Sequence, residues 1–271
     1  MSGALEIVNR RYKEDCLPSY YITDIHRLIK NELGLNEPFA QLRADCRTVS
    51  KVIAADVEKA AAQCSPIDRF KLLMRWSVIS NYLDFRTVST GYGLDPDSIG
   101  RELGRRLDAG LDIDQSDRIY DITSKCKNIV FVPDNVGELA FDVLLVRELI
   151  LRGASVTVPL RGGPITSDAT YDEGIDAGFG TVGAHCILAG PDTLGLSMEE
   201  MTPECMQALD NADCIIAKGQ ANWYLFSEFA SVFPKATIVS LLVTKCSAVS
   251  SAFASPHNIS IAAIIADGSA I

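Results

Sequence analysis

The sequence predicts an α/β fold: a Rossmann-like, mostly parallel sheet with helices on both faces, preceded by an N-terminal all-helical region. Three observations carry this. Before Cys126 nothing alternates with the period of a strand, and apolar residues recur at helical spacing. After Lys127 the texture changes to short apolar runs separated by amphipathic stretches, the pattern of strand–helix–strand units. At the centre, Asn128 to Leu139 (NIVFVPDNVGEL) joins an uncharged, β-branched run to a helix start. The division falls near residue 120, giving a helical region over 1–120 and an α/β domain over 121–271.

In the first region, Ile25, Leu28, Ile29 and Leu33 share one helical face, and Val52, Ile53, Val57 and Ala60 another. A further helix is expected from Phe70 to Phe85. Turn residues at Gly34 to Pro38, Ser65-Pro66 and Gly91-Tyr92-Gly93 separate the pieces. The charged stretch Arg101 to Asp117 reads as a surface helix and connector with a solvated face. In the second region, strands are expected at Asn128 to Val132, Ser155 to Val158, Ala184 to Ala189, Cys214 to Ala217, Thr237 to Leu242 and Ile259 to Ile265. Helices fall between them at about Val136 to Arg152, Tyr171 to Ala177, Ser197 to Asp210, Trp223 to Phe233 and Cys246 to Ala254. With right-handed crossovers, all strand carboxyl ends should open on one edge of the sheet.

Composition narrows the possible functions. The 271 residues are 48% hydrophobic and 22% charged, which is ordinary for a globular protein, and the net charge of −10 comes without a basic stripe. A nucleic-acid partner is therefore disfavoured. The opening MSGALEIVNRRYKEDC lacks the apolar core of a signal peptide, and no run is long enough to span a bilayer. We expect a cytoplasmic protein with no membrane partner; its oligomeric state is not readable. Eight cysteines without paired spacing point to reduced, buried thiols and away from disulfides or a zinc site. His185, inside a strand, is expected to be a core histidine. The glycine patterns of P-loops, nucleophile elbows and dinucleotide-binding turns are absent.

In an open α/β sheet, ligands bind at the carboxyl edge, so the residues just after each strand are the ones to read. After the first predicted strand stand Asp134 and Asn135, two hard oxygen donors beside a helix start. Asn135 and Glu138 also have the spacing of a capping box, which would explain both without function. After the second comes a Gly- and Pro-containing loop ending in Asp168, a residue that could equally cap the helix near Tyr171. After the fourth come Lys218-Gly219 and Asn222, and after the fifth Lys245. Gly219 suits a close backbone approach to a ligand, and Asn222 suits a helix cap. A lysine just before a helix opposes the helix dipole, so Lys245 has the weakest structural explanation. Carboxylates, amides and ammonium groups converging on one edge are the chemistry of a metal-phosphate site.

With these residues in place, the sequence resembles the damage-control phosphatase family, once catalogued as a domain of unknown function and described as acidic-residue methyltransferase-like. The matching segments, in order, are ISNYLDF (Ile79 to Phe85), PDNVGE (Pro133 to Glu138), ITSDAT (Ile165 to Thr170), LSMEEMTPE (Leu196 to Glu204), ALDNADCIIAKGQANW (Ala208 to Trp223) and TKC (Thr244 to Cys246). The resemblance implies hydrolysis of small phosphate monoesters, such as sugar phosphates or damaged phosphometabolites, with a divalent cation such as manganese, magnesium, cobalt or nickel. It implies Asp134, Asn135 and Asp168 as metal ligands. It also implies Glu138, Asn222, Lys218 and Lys245 as substrate contacts, with Asp134, Asp168, Lys218 and Lys245 catalytic. The nucleophile is either a water or one of Asp134 and Asp168. Asn81 and Asp84 could face the same site from the helical region. The segment Leu242-Val243-Thr244-Lys245 keeps only the lysine of the Arg-Thr-x-Lys motif of the eukaryotic branch, which argues against fructose phosphate. Two rival readings are an S-adenosylmethionine-dependent carboxyl methyltransferase, for which the glycine-rich loop is missing, and a non-catalytic phosphometabolite-binding protein.

Overall fold

The computed structural model describes residues 2–12, 16–84, 96–255 and 259–268. The helical region comprises α1 (Ser2–Arg11), α2 (Pro18–Leu33), α3 (Ala40–Ala61), α4 (Pro66–Ile79) and α5 (Pro96–Ala109). Its boundaries follow local chemistry. Helix α2 stops at Gly34 in the left-handed conformation, and α4 starts where Ser65 caps the Asp68 N–H with Pro66 in the first turn. The helix expected to reach Phe85 ends earlier. A 3-10 turn over Ser80–Leu83 follows α4, then Asp84 is extended; Phe85 and the Gly91-Tyr92-Gly93 turn lie outside the described residues.

The sheet region comprises β1 (Ile113–Asp114), α6 (Ser116–Thr123), β2 (Asn128–Val132), α7 (Leu139–Leu151), β3 (Ser155–Arg161), α8 (Tyr171–Ala177) and β4 (His185–Gly190). It continues through α9 (Pro203–Asp210), β5 (Cys214–Lys218), α10 (Gly219–Glu228), β6 (Thr237–Val243), α11 (Ser247–Ala252) and β7 (Ser260–Ala266). The order across the sheet is β1-β7-β6-β5-β2-β3-β4. Strands β2 to β6 are mutually parallel, so the α/β expectation holds with two corrections. Strand β7 runs antiparallel to β6, so its carboxyl end points away from the common edge. The two-residue β1, inside the stretch read as helical, pairs with β7. His185 is also corrected: β4 is an edge strand, and this residue is exposed there rather than buried in the core.

Both faces of the sheet are covered. Along β2, Ile129 and Phe131 join an apolar cluster with Val49 and Ile53 of α3, Phe70 and Met74 of α4, and Phe141 and Leu145 of α7. Val130 and Val132 point the other way, into a cluster with Leu209, Leu225 and Phe226. The period-two alternation thus divides between two buried faces, as expected for a central parallel strand. Trp76 of α4 stacks on Phe141 of α7 with ring centroids 5.5 Å apart, a contact worth about 0.5–1.5 kcal/mol beyond its burial. The helical region and the sheet therefore share one core. All eight cysteines are free; Cys46, Cys205 and Cys214 are buried and the others half-buried.

Candidate active site

From β2 the chain moves outward to β3 and β4, and from β5 it moves the opposite way to β6. The junction between β2 and β5 is the topological switch point, where a crevice opens at the carboxyl edge. Pro133 and Asp134 leave β2 on one side of it, and Gly219 leaves β5 on the other. Gly219 has φ +75°, and a Cβ there would lie 1.9 Å from Oδ2 of Asp134. The glycine permits a close approach, as its position suggested, but the group it admits is the Asp134 carboxylate.

Asp134 is 2% exposed, and Asn135 and Glu138 are fully buried. The Asn135 amide Nδ2 donates to Asp134 Oδ2 and to Glu138 Oε1, each at 2.6 Å. Asn81, from the 3-10 turn, donates its Nδ2 to the same two oxygens at 3.1 and 2.7 Å and accepts the Val243 N–H at 3.1 Å. Only half of the capping box forms: the Asn135 N–H donates to Glu138 Oε1 at 3.3 Å, but α7 begins after Glu138 with no side-chain cap. Capping thus does not account for the Asn135 side chain.

The loop carrying Asp168 is stitched alongside. Asn135 and Asp168 form an isolated antiparallel bridge, the Ala169 N–H donates to the Asp134 carbonyl at 2.8 Å, and the Val136 N–H donates to the Ser167 carbonyl at 2.8 Å. Asp168 Oδ2 accepts the Gly195 N–H at 2.7 Å and lies 3.1 Å from Nη2 of the fully buried Arg161. The cap of α8 is Thr170, in a reciprocal box with Glu173, so Asp168 is free of that duty. The Ser167 hydroxyl lies 2.6 Å from Asn135 Oδ1 and 2.8 Å from Asp84 Oδ1, one proton serving two acceptors. Asp84 in turn accepts from Lys245 Nζ at 2.5 Å.

The two lysines differ. Lys245 is half-buried at the lip of the crevice, its backbone N–H donating to Gln220 Oε1 at 2.9 Å. Lys218 is fully buried, and its ammonium donates to the Ser77 carbonyl at 2.6 Å, Glu138 Oε2 at 2.5 Å and Asp142 Oδ1 at 2.8 Å. Three acceptors fill its three protons, so in this arrangement Lys218 supports Glu138 from behind. Burial pushes the Lys218 pKa down, but Asp142 and Glu138 outweigh it and the net direction is up; burial pushes Asp142 up. Asn222 lies inside α10 rather than capping it. Its Nδ2 donates to the carbonyls of Lys218 (2.8 Å) and Pro133 (3.2 Å), and its Oδ1 accepts the Leu196 N–H (2.9 Å). It ties three crevice segments together.

Asp134, Asn135 and Glu138 thus meet directly, Asp168 joins them through the bridge, and Lys245 is linked through Asp84 and Ser167. Sequence reasoning did not single out Arg161, Ser167 or Asp142. A signal existed for Asp142, which is four residues after Glu138 and so shares its helix face. Among the described residues, no three acidic, histidine or cysteine side chains form a ready-made metal cage. Asp134, Asn135 and Asp168 instead offer two carboxylates and an amide from adjoining backbone segments. That all-oxygen donor set fits hard divalent cations rather than soft ones.

Fold and crevice define a Rossmann-like α/β protein whose switch point is lined with buried oxygen donors and edged by an ammonium group. The family model of the damage-control phosphatase ARMT1-like domain matches residues 1–258, and the chain belongs to that family. It is 30% identical over 246 residues to a damage-control phosphatase of Archaeoglobus fulgidus, covering 91% of this chain and 82% of that one. To a damage-control phosphatase of Pyrococcus horikoshii it is 29% identical over 247 residues, covering 91% and 81%. It is also similar to the crystal structure of a DUF89 family protein from Pyrococcus horikoshii, with a TM-score of 0.85 at 27% identity over 98% of this chain and 88% of that one. These likenesses support a hydrolase of the phosphatase class. Among the described residues no helix is long and apolar enough to cross a membrane.

Proposed function

We propose that this chain is a cytoplasmic, metal-dependent phosphatase acting on small phosphate monoesters, sugar phosphates or damaged phosphometabolites. Asp134, Asn135 and Asp168 would hold the divalent cation, whether manganese, magnesium, cobalt or nickel. The reading is supported by the placement of Asp134, Asn135 and Asp168 on adjoining, bridged backbone segments at the switch point, with Lys245 at the lip. When bound, the cation supplies Lewis-acid polarisation of the phosphoryl group and neutralises its charge. The residues of the chain do the rest. Lys245 meets a phosphoryl oxygen from the exposed side, and Asp84 and Ser167 orient that ammonium. Lys218, Asn81 and Asn135 hold Glu138 at the crevice wall. The near-complete burial of Asp134, Asn135 and Asp168 keeps bulk water from competing for the donors.

The test is a phosphatase screen of sugar and cofactor phosphates against the four cations. Hydrolysis of at least one monoester that depends on added metal is expected. Binding of monoesters without turnover under every cation would instead support a binding protein. Metal-independent binding of S-adenosylmethionine, measured by calorimetry, would support the methyltransferase. Trapping with beryllium fluoride separates attack by water from attack by Asp134 or Asp168, since only a carboxylate nucleophile forms a stable acyl-phosphate mimic.

A further inference from the structure

Arg43 lies on α3, outside the crevice, and is 1% exposed. A guanidinium buried so deeply needs acceptors around its rim. Nη1 donates to the Thr166 carbonyl at 2.8 Å and Nη2 to the Asp168 carbonyl at 2.9 Å. Nη2 also bonds Oε2 of Glu173, while Nε, 3.1 Å from Oε1 of Glu37, is paired by charge without a hydrogen bond. Two of these acceptors are main-chain carbonyls on either side of Ser167, in the loop that delivers Asp168.

That loop is strained where Arg43 grips it. Thr166 has φ +42°, a left-handed conformation for a β-branched residue, and only Ala254 shares it among the described non-glycine residues. Such a conformation persists only where its surroundings over-determine it. The far end of the loop is held by the same group at one remove. Glu173 Oε2 accepts from the Thr170 N–H at 3.0 Å and from its hydroxyl at 2.8 Å while it pairs with Arg43. One guanidinium from the helical region therefore fixes the loop both before and after Asp168.

We infer that Arg43 is a positioning residue for cation binding: by clamping the Thr166 and Asp168 carbonyls it sets where the Asp168 carboxylate stands relative to Asp134 and Asn135. The inference rests on the reading of Asp168 as a cation ligand. A lysine cannot replace the planar fork, because one ammonium cannot reach both carbonyls in the same geometry.

The experiment measures manganese affinity by calorimetry, together with the thermal midpoint without metal, for wild type, Arg43→Lys, Glu173→Gln and Arg69→Lys. Arg69, whose side chain is 31% exposed, makes a helix-to-helix pair with Glu148 away from the crevice and serves as the control for the loss of an interhelical arginine pair. Arg43→Lys is expected to melt cooperatively and to bind manganese about tenfold more weakly or worse, the usual cost of losing a partner that orients a ligand. Glu173→Gln, which keeps both carbonyl bonds, should lose a few-fold, and Arg69→Lys nothing. A folded Arg43→Lys with wild-type affinity overturns the inference. If Arg43→Lys does not fold, Glu173→Gln decides: a few-fold loss supports the clamp, and wild-type affinity overturns it. A wild-type chain that binds no manganese brings down the cation-site reading itself, a result distinct from a failed clamp.

Discussion

Two sets of ion pairs, one on the loop from Pro191 to Met201 and one in the crevice, are built on opposite terms. On the outer side, Arg27 and Lys30 of α2 clasp Asp192 at 2.9 and 2.6 Å, and Arg27 reaches Glu200 at 3.0 Å, with side chains 15–31% exposed. On the crevice side, Lys218 meets Glu138 and Asp142, and Arg161 meets Asp168, all with 0% side-chain exposure. The distances are alike and the surroundings are not. Water and salt compensate the loss of a clasp partner, whereas a crevice partner leaves its counter-charge stranded in a low-dielectric interior. The outer cluster therefore behaves as a fastening, and the inner one as a preset arrangement of charge that cannot be edited piecemeal.

The sharpest way to break this contrast is Lys218→Met, which strands Glu138 and Asp142. We expect a loss of about 3–5 kcal/mol in urea unfolding. A loss below about 1 kcal/mol would put the crevice on the same footing as the surface. Gly219→Ala comes next. Its Cβ would overlap the Asp134 carboxylate at a φ suited to glycine, so about 1–3 kcal/mol should be lost and phosphatase activity should fall with it. Unchanged stability and rate would mean that Asp134 is free to move aside.

Asp192→Asn should have the smallest effect, within about 1 kcal/mol at neutral pH. Its signature is in the pH dependence. Burial pushes the Asp192 carboxyl up, but hydrogen bonds from Lys30 and Arg27 outweigh this and hold it below its ordinary 3.8. The clasp's contribution is thus in place above 3.8 and lost as pH falls through the folded-state value, and Asp192→Asn should flatten that acid limb of the stability profile. Lys218 works at the other end. With its pKa raised above 10.5, its contribution is complete below 10.5 and lost as pH rises through the folded-state value.

Strands β2 to β7 were legible because each is an apolar run bounded by turn residues, and the predicted Asn128 to Val132 strand and Tyr171 to Ala177 helix match the observed spans, whereas the two-residue β1, half of it an aspartate, carries no such run. The direction of β7 was not legible, since its apolar run reads the same in a parallel or an antiparallel partner. The helix expected from Ser197 starts only at Pro203, where Thr202 caps the Cys205 N–H. Just ahead of the expected start, Gly195 and Leu196 supply N–H groups to Asp168 and Asn222. Arg43 and Arg161 escaped notice for a related reason. A lone arginine in sequence looks solvated, and only the fold reveals the carbonyls of distant loops that let it be buried. The division expected near residue 120 is crossed by the sheet, whose β1 lies at Ile113–Asp114, and Trp76 on Phe141 and Lys218 on the Ser77 carbonyl show how closely the helices and the sheet are joined.

The most direct measurement is hydrolysis of p-nitrophenyl phosphate with added manganese by wild type and by Asp134→Ala, with circular dichroism and melting followed on both. The switch-point reading predicts a fall of about a hundredfold or more in a variant that remains folded. A folded Asp134→Ala that turns over at near wild-type rate would place the chemistry elsewhere in the molecule.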